Sequence, residues 1–328
     1  MTEYVDPTEA DDFPDDSAAG AASGPINGPE NSDTASGFVG LAGRPNVGKS
    51  TLVNSIVGAT VAIATVRPQT TRRAIRGVAT DEESGKQLVM VDLPGVQRPR
   101  DKLTSRMQKT VEHSLSDADV VLFVLNGEEG IGAGDRFIAN TLLGAGLKVP
   151  IVCAVNKADR LGRNIIPVLA EAGGMQGISD VFPISALTGE GVPELKEHLG
   201  SLMPQGPYLY PPGDTTDQPV GQLVAELIRS QALVRTRDEI PHSLEVKVVH
   251  MQTREDGLIA INAEIWVEAP SQRGILIGKD GFRIQEIGTD SRKLLEQELD
   301  AKVFLDLQVK LKRKWRRDED MLDRLGIE

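Results

Sequence analysis

The chain has 328 residues, 40% of them hydrophobic and 26% charged, with a formal net charge of −12; this size and balance fit a soluble protein of two domains. A single cysteine, Cys153, excludes a disulfide framework, and four scattered histidines (His113, His198, His242, His250) offer no metal-ligand spacing. No apolar run approaches the roughly 18 residues that cross a bilayer, and the acidic N-terminus lacks the basic-then-apolar order of a secretory signal; a reducing, cytoplasmic compartment is expected, with peripheral membrane contact left open.

Residues 1–36 carry nine acidic residues and no Lys or Arg, so they hold −9 of the net charge and leave −3 for the body. They are rich in Asp, Ala, Gly, Pro and Ser and bury too little apolar area to offset chain entropy, so a disordered tail is expected. From 37 to 203 the pattern alternates. Strand candidates lie at 38–42, 74–80, 87–92, 120–126, 150–156 and 181–185, and helix candidates at 49–57, 101–116, 134–146, 164–172 and 192–203. Such alternation predicts an α/β domain with a mostly parallel sheet covered on both faces, and its ligand at the carboxyl ends of the strands. Residues 204–219 contain five prolines and two glycines and read as a stiff linker. A smaller α+β domain follows over 220–328. It reads as a helix at 220–237, strands at 244–251 and 258–268, a loop at 278–281, a helix at 282–299 and a strand at 302–309 that runs into a basic helical end.

The first motif is GRPNVGKS, which spells G-x-x-x-x-G-K-S between the first strand and the first helix. Gly43, Arg44, Pro45, Asn46, Val47, Gly48, Lys49, Ser50 and Thr51 would wrap phosphates with backbone N–H groups at a helix start. Lys49 would reach the terminal phosphates and Ser50 would bind magnesium. DLPG (Asp92, Leu93, Pro94, Gly95) ends a strand; Asp92 would hold the magnesium through water, and the Gly95 amide would meet the third phosphate. NKAD supplies Asn156, Lys157 and Asp159. An aspartate accepts two hydrogen bonds from guanine, whereas adenine would leave it buried and unpaired. SAL (Ser185, Ala186, Leu187) follows another strand, where a backbone N–H can meet the guanine O6. The ordered set points to GTP and GDP rather than adenine nucleotides.

PQTTRR occupies the segment before the second strand. Thr71, chosen over Thr70, would coordinate magnesium while the third phosphate is present and let go after hydrolysis. Catalysis would rest on Lys49, Asn46, Thr71 and Gly95. Val96 stands where enzymes such as Ras carry a water-orienting glutamine, so another group must align the water or hydrolysis is slow. Asn46 is either a turn residue only or, as in a subgroup of GTPases that it resembles, a potassium recruiter.

In the second domain, Ile277, Gly278, Lys279, Asp280, Gly281 and Arg283 form a G-x-x-G loop opening a helix. In KH domains such a loop clamps single-stranded RNA. KLKRKWRR places six Lys or Arg around Trp315. Lys312 and Lys314 would contact phosphates, and Trp315 either stacks on a base or packs in the core. With few other exposed aromatics evident, recognition is expected to rest on the loop, backbone groups and aliphatic side chains.

GRPNVGKSTLVN, PQTTRR, DLPG, NKAD and SALTGEG, followed by LYPP, DEIPHS and ILIGKDG, resemble the Era family of bacterial GTPases from about residue 38 to the C-terminus. Leu93 departs from the threonine usual in that family. The resemblance implies an Era-type P-loop GTPase domain joined to a type II KH domain in a monomer. It also implies binding to the 3′ end of small-subunit ribosomal RNA, a role in assembly of the small (30S) subunit, and some peripheral association with the inner membrane face. It assigns Lys49, Ser50, Thr71, Asp92, Asn156 and Asp159 to nucleotide and metal, and residues 278–281 to RNA. A second reading keeps the GTPase and gives the C-terminal domain a protein partner. A third is a scaffold that binds GTP without turnover.

Overall fold

A computed structural model describes residues 34–63, 71–95, 99–236 and 240–327; Thr70, Val96 and residues 1–33 of the acidic tail lie outside them. The first domain holds β1 (Ala35–Ala42), α1 (Lys49–Val57), β2 (Ile75–Asp81), β3 (Lys86–Asp92), α2 (Lys102–Ser116), β4 (Val120–Asn126), α3 (Ala133–Gly144), β5 (Ile151–Asn156), α4 (Ile166–Gly173), β6 (Ile178–Pro183) and α5 (Val192–Ser201). The strand order is β2-β3-β1-β4-β5-β6. Only the β2–β3 pair is antiparallel.

Every residue of β4 is buried, because both faces of a central parallel strand meet helices. Val120, Leu122 and Val124 join the core under α1 and α5. Val121, Phe123 and Leu125 join the core under α2, α3 and α4. Gly77 lets α1 close on β2, since a Cβ there would stand 2.8 Å from Val53 and 2.9 Å from Val57. Two strands of this domain start three residues earlier than expected. β1 begins at Ala35, inside the expected tail, because Ala35 and Ser36 pair in register with Lys86 and Gln87 of β3. β6 spans Ile178–Pro183 rather than 181–185, since Pro183 is its last residue in register with β5.

The linker is strapped to the sheet. Val78 donates to the Thr215 carbonyl at 2.8 Å, Thr216 bridges Gly77, and Asp217 pairs with Arg76 at 2.9 Å. Gln87, fully buried, accepts from the amides of Leu209 and Tyr210 and donates to the Tyr210 carbonyl. These bonds cover the outer edge of β2, which would otherwise present unpaired backbone groups.

The second domain comprises α6 (Val220–Val234), one turn α7 (Ile240–Ser243), β7 (Glu245–Thr253), β8 (Ile259–Val267), α8 (Pro270–Ile277), α9 (Phe282–Glu298), β9 (Val303–Leu311) and α10 (Glu319–Arg324). Its sheet order is β7-β8-β9, with β7–β8 antiparallel and β8–β9 parallel. The helix α8 was not expected; Pro270 at its first turn and Gln272, which accepts from the Ala269 amide, start it. The expected basic helical end is a correction too. Lys310 and Leu311 stay in β9, paired with Trp266 and Val267, and only Trp315–Arg317 turn as a short 3₁₀ segment.

Candidate nucleotide site and nucleic-acid groove

The phosphate loop joins β1 to α1, and its backbone dictates its residues. Gly43 and Gly48 have φ of 153° and 103°, and Asn46, exposed, has φ of 63°, a conformation that Asn tolerates better than most residues. A Cβ on Gly43 would meet the Val124 carbonyl at 2.5 Å, and one on Gly48 would meet the Asn156 amide at 2.2 Å. Lys49 is buried, with its Nζ donating to the carbonyls of Gly43 and Arg44 at 3.1 Å. Burial pushes this ammonium's pKa down, partly opposed by Asp92. Arg44 turns its side chain away from the loop interior. It pairs with buried Asp135 at 2.8 Å and with Glu129 at 3.0 Å, so only its backbone remains for a phosphate.

Three oxygen ligands converge at the start of α1. Ser50 Oγ donates to Asp92 Oδ2 at 2.5 Å, Thr71 Oγ1 donates to the same oxygen at 3.1 Å, and the two hydroxyls stand 3.3 Å apart. Asp92 is fully buried, and among the described residues its Oδ1 has no hydrogen-bond partner. Burial raises the carboxyl pKa, with Lys49, Ser50 and Thr71 opposing. An orphaned carboxylate oxygen beside two hydroxyls is a hard, all-oxygen set, which fits a magnesium ion. Gly95 lies against the loop, since a Cβ there would stand 2.8 Å from Pro45 Cγ. Leu93 and Val47 are core residues, buried to 0% and 1% exposure.

Asn156 ties three loops together. Its Nδ2 donates to the Val47 carbonyl at 2.8 Å, while its Oδ1 accepts from the amides of Lys157 at 2.8 Å and Ala186 at 2.9 Å. Lys157 takes a left-handed backbone (φ 69°), and Asp159 follows in a single 3₁₀ turn, Ala158–Arg160. Ser185 is buried and accepts from the Thr188 amide, whereas Leu187 is 74% exposed. The nucleotide-site residues expected from the sequence thus gather at the carboxyl ends of β1, β3, β5 and β6, apart from Val96, which lies outside the described residues.

The second domain carries a different surface. Gly278, Asp280 and Gly281 all have positive φ (74°, 51° and 78°), which folds the loop tightly ahead of α9. No side chain caps α9 at Gly281, and the Phe282 N–H already donates to the Lys279 carbonyl, so any anion would meet the amides that follow it. Arg283 donates to the Ile275 carbonyl at 2.7 Å, which braces the loop. A hollow of about 580 Å³ at the loop, lined by Lys279, Phe282 and Gln285, shares Gln285 with a groove of about 750 Å³ between α9 and β9. That groove adds Gly288, Arg292, Lys302 and Phe304, none of which the sequence reading singled out. Phe282 and Phe304 are 63% and 51% exposed, so aromatic faces are present after all. Phe304 carries the only available signal, an aromatic on a strand next to Lys302. Trp315 is the reverse case. It is fully buried, donates to the Ser243 carbonyl at 2.9 Å and lies 5.5 Å below Arg72, so it stacks on no base. Lys314 is exposed at φ 58°, and Lys312 sits 5.3 Å over the Trp266 ring.

Comparison with known proteins agrees with this architecture. Residues 38–157 match a family model described as "50S ribosome-binding GTPase", and residues 239–316 match a KH domain. The GTPase Era of Mycobacterium tuberculosis (strain H37Rv) is 43% identical over 297 residues, covering 89% of this chain and 98% of that one. The GTPase Era of Mycobacterium sp. (strain KMS) is 42% identical over 300 residues, covering 90% and 100%. Two solved structures superpose with TM-scores of 0.85 at 34% identity, each covering 90% of this chain and 99% of its own. One is a variant of Aquifex aeolicus Era bound to GDP and AlF4−; the other is Era with MgGDPNP and nucleotides 1506–1542 of 16S ribosomal RNA. The chain belongs to the Era family of GTPases.

Proposed function

We propose that the chain is a magnesium-dependent GTP-hydrolysing switch whose KH domain binds the 3′ end of small-subunit ribosomal RNA and assists small-subunit assembly. The observation that carries the switch is the convergence of Ser50, Thr71 and Asp92, with Asp92 Oδ1 buried and without a partner among the described residues. The solved relative that holds both MgGDPNP and 16S ribosomal RNA supports the RNA partner.

In this reading Ser50, Thr71 and Asp92 hold the magnesium, which supplies positive charge to the phosphates during transfer. Lys49 turns from the loop carbonyls toward the terminal phosphates. The Gly95 amide marks the third phosphate, so its loss on hydrolysis releases the segment at Thr71. Asp159 accepts two guanine hydrogen bonds and rejects adenine by desolvation. Asn46, exposed in the loop, would recruit a potassium ion, which would supply further positive charge to the phosphates. Equal turnover in sodium and potassium buffers would contradict that last role. On the RNA side, the loop at 278–281 brings the chain backbone close to an uncapped helix start. Arg292 and Lys302 meet phosphates, and Phe304 offers a stacking face.

The test is hydrolysis in potassium buffer, with and without a single-stranded RNA matching the 3′ end of 16S ribosomal RNA, using wild type and Gly281→Asp. A Cβ at Gly281 meets nothing within 4 Å, and aspartate tolerates the left-handed φ of 78° there better than most residues, so this variant adds negative charge at a small backbone cost. RNA should change the rate in wild type and not in the variant. No RNA effect in either protein would move the partner of the second domain to protein. Binding should also weaken steeply with salt, as phosphate contacts require.

A further inference from the structure

Thr71 has two neighbours that do not face the nucleotide site. Arg72, 3% exposed, donates to the Leu244 carbonyl at 2.8 Å and to Glu245 at 2.7 Å, both in the second domain. Arg73 donates to the carbonyls of Leu325 and Gly326 and pairs with Glu226 at 3.3 Å. Arg229 closes the circuit, 3.4 Å from Glu226 and 3.6 Å from Glu245. Three guanidinium groups and two carboxylates thus form four consecutive ion pairs that the Arg72–Arg73 backbone closes into one ring, with every side chain 11% exposed or less. Buried ion pairs contribute little net stability, because desolvation offsets the attraction, yet losing one partner is costly. Such a ring holds geometry better than it adds stability.

The geometry that it holds is that of Thr71. On the C-terminal side, Ile75 opens β2 in register with Asp92. Between that strand and Thr71, only Arg72 and Arg73 make ion pairs with the second domain among the described residues. We infer that Arg72 is a positioning residue for GTP hydrolysis, through which Glu245 of the second domain holds Thr71 on Ser50 and Asp92. Docking of the second domain then sets how tightly the magnesium is held. The inference rests on the magnesium assignment proposed above.

The test uses the full chain with Glu245→Gln, Arg72→Gln, Arg72→Lys and Arg73→Gln. Glu245→Gln keeps shape and a neutral hydrogen bond, and it touches no nucleotide-site residue. The first readout is the magnesium concentration giving half-maximal GTP hydrolysis. It should rise about tenfold in Glu245→Gln and Arg72→Gln, the size of an ordinary coupling between sites, with partial rescue in Arg72→Lys and GDP affinity unchanged. The second readout needs no turnover. The chain's two tryptophans, Trp266 and Trp315, both lie in the apolar cluster that joins α2 to the second domain. Their fluorescence should respond to magnesium with a GTP analogue in wild type, and the response should shift to higher magnesium in the variants. An unchanged magnesium requirement in folded Glu245→Gln and Arg72→Gln would overturn the inference. If one of the two fails to fold, the other decides in the same way, and if both fail, Arg72→Lys, which keeps the charge and loses the guanidinium's paired contacts to Leu244 and Glu245, decides. Hydrolysis independent of magnesium in wild type would instead overturn the metal assignment itself.

Discussion

At the scale of single residues, the site depends on groups that touch one another more than on groups facing outward. Asn156 joins the phosphate loop, the strand end at β5 and the turn at Ala186 through three hydrogen bonds. Asn156→Ala leaves buried partners unsatisfied, at about 1–3 kcal/mol. Urea unfolding should show that loss together with weaker GDP binding. Wild-type stability in the variant would show that the loops are held by something else. Gly95 is the second such point. Gly95→Ala forces a methyl to 2.8 Å from Pro45 Cγ, so the loop or the DLPG turn must shift. GTP-analogue affinity should fall about tenfold, equivalent to about 1.4 kcal/mol, and GDP affinity less. Equal losses for both nucleotides would place the damage in the loop rather than at the third phosphate.

At the scale of elements, charge holds the domain junction. Burial favours the neutral form of Glu245, but Arg72, Arg229 and Arg73 outweigh it and hold the carboxyl at about 2. Glu226 completes the ring without facing a further cation on another element among the described residues. The folded-state pKa is depressed, so this stability is fully present above the unfolded value of about 4.3 and is lost as pH falls through about 2. Tryptophan fluorescence should therefore report a loosening of the junction between those values, and Glu245→Gln should lack that step. An identical acid profile in the variant would remove the ring from the account. The linker makes a parallel claim. Gln87→Ala deletes bonds to Leu209 and Tyr210 from a fully buried side chain, which should cost about 1–3 kcal/mol and expose the linker to protease.

Sequence pattern made much of the first domain legible, because β3, β4 and β5 carry unbroken apolar runs and DLPG and NKAD sit at the ends of β3 and β5. What pattern hid was set by distant partners. Ile275, Leu276 and Ile277 fell in no expected element, yet they end a helix that Pro270 and Gln272 start. Trp315, in a run of six cations, is core because Arg72 and Ser243 meet it from far along the chain. PQTTRR showed its threonine, but nothing local revealed that both arginines leave the site for the second domain. The groove beyond the G-x-x-G loop was hidden too, since Arg292 and Phe304 become neighbours only when α9 packs on β9.

At the scale of the whole molecule, the segment at Thr71 and the helix that follows DLPG both grip the second domain. Arg73 holds the turn after α10, while Arg106 of α2, the helix after DLPG, pairs with Glu319 and Asp323 and donates to the Ile327 carbonyl. Leu103 and Met107 of α2 pack with Trp266, Trp315, Leu322 and Leu325. Under the proposed function, a change at the third phosphate would reach the second domain along two routes, and linkage would make the effect mutual. The measurement that tests this most directly is the affinity of the full chain for a 3′-end 16S ribosomal RNA fragment, at fixed salt and magnesium, with GDPNP and then with GDP. The account predicts tighter binding with GDPNP by at least about fivefold. Equal affinity in the two states would contradict it.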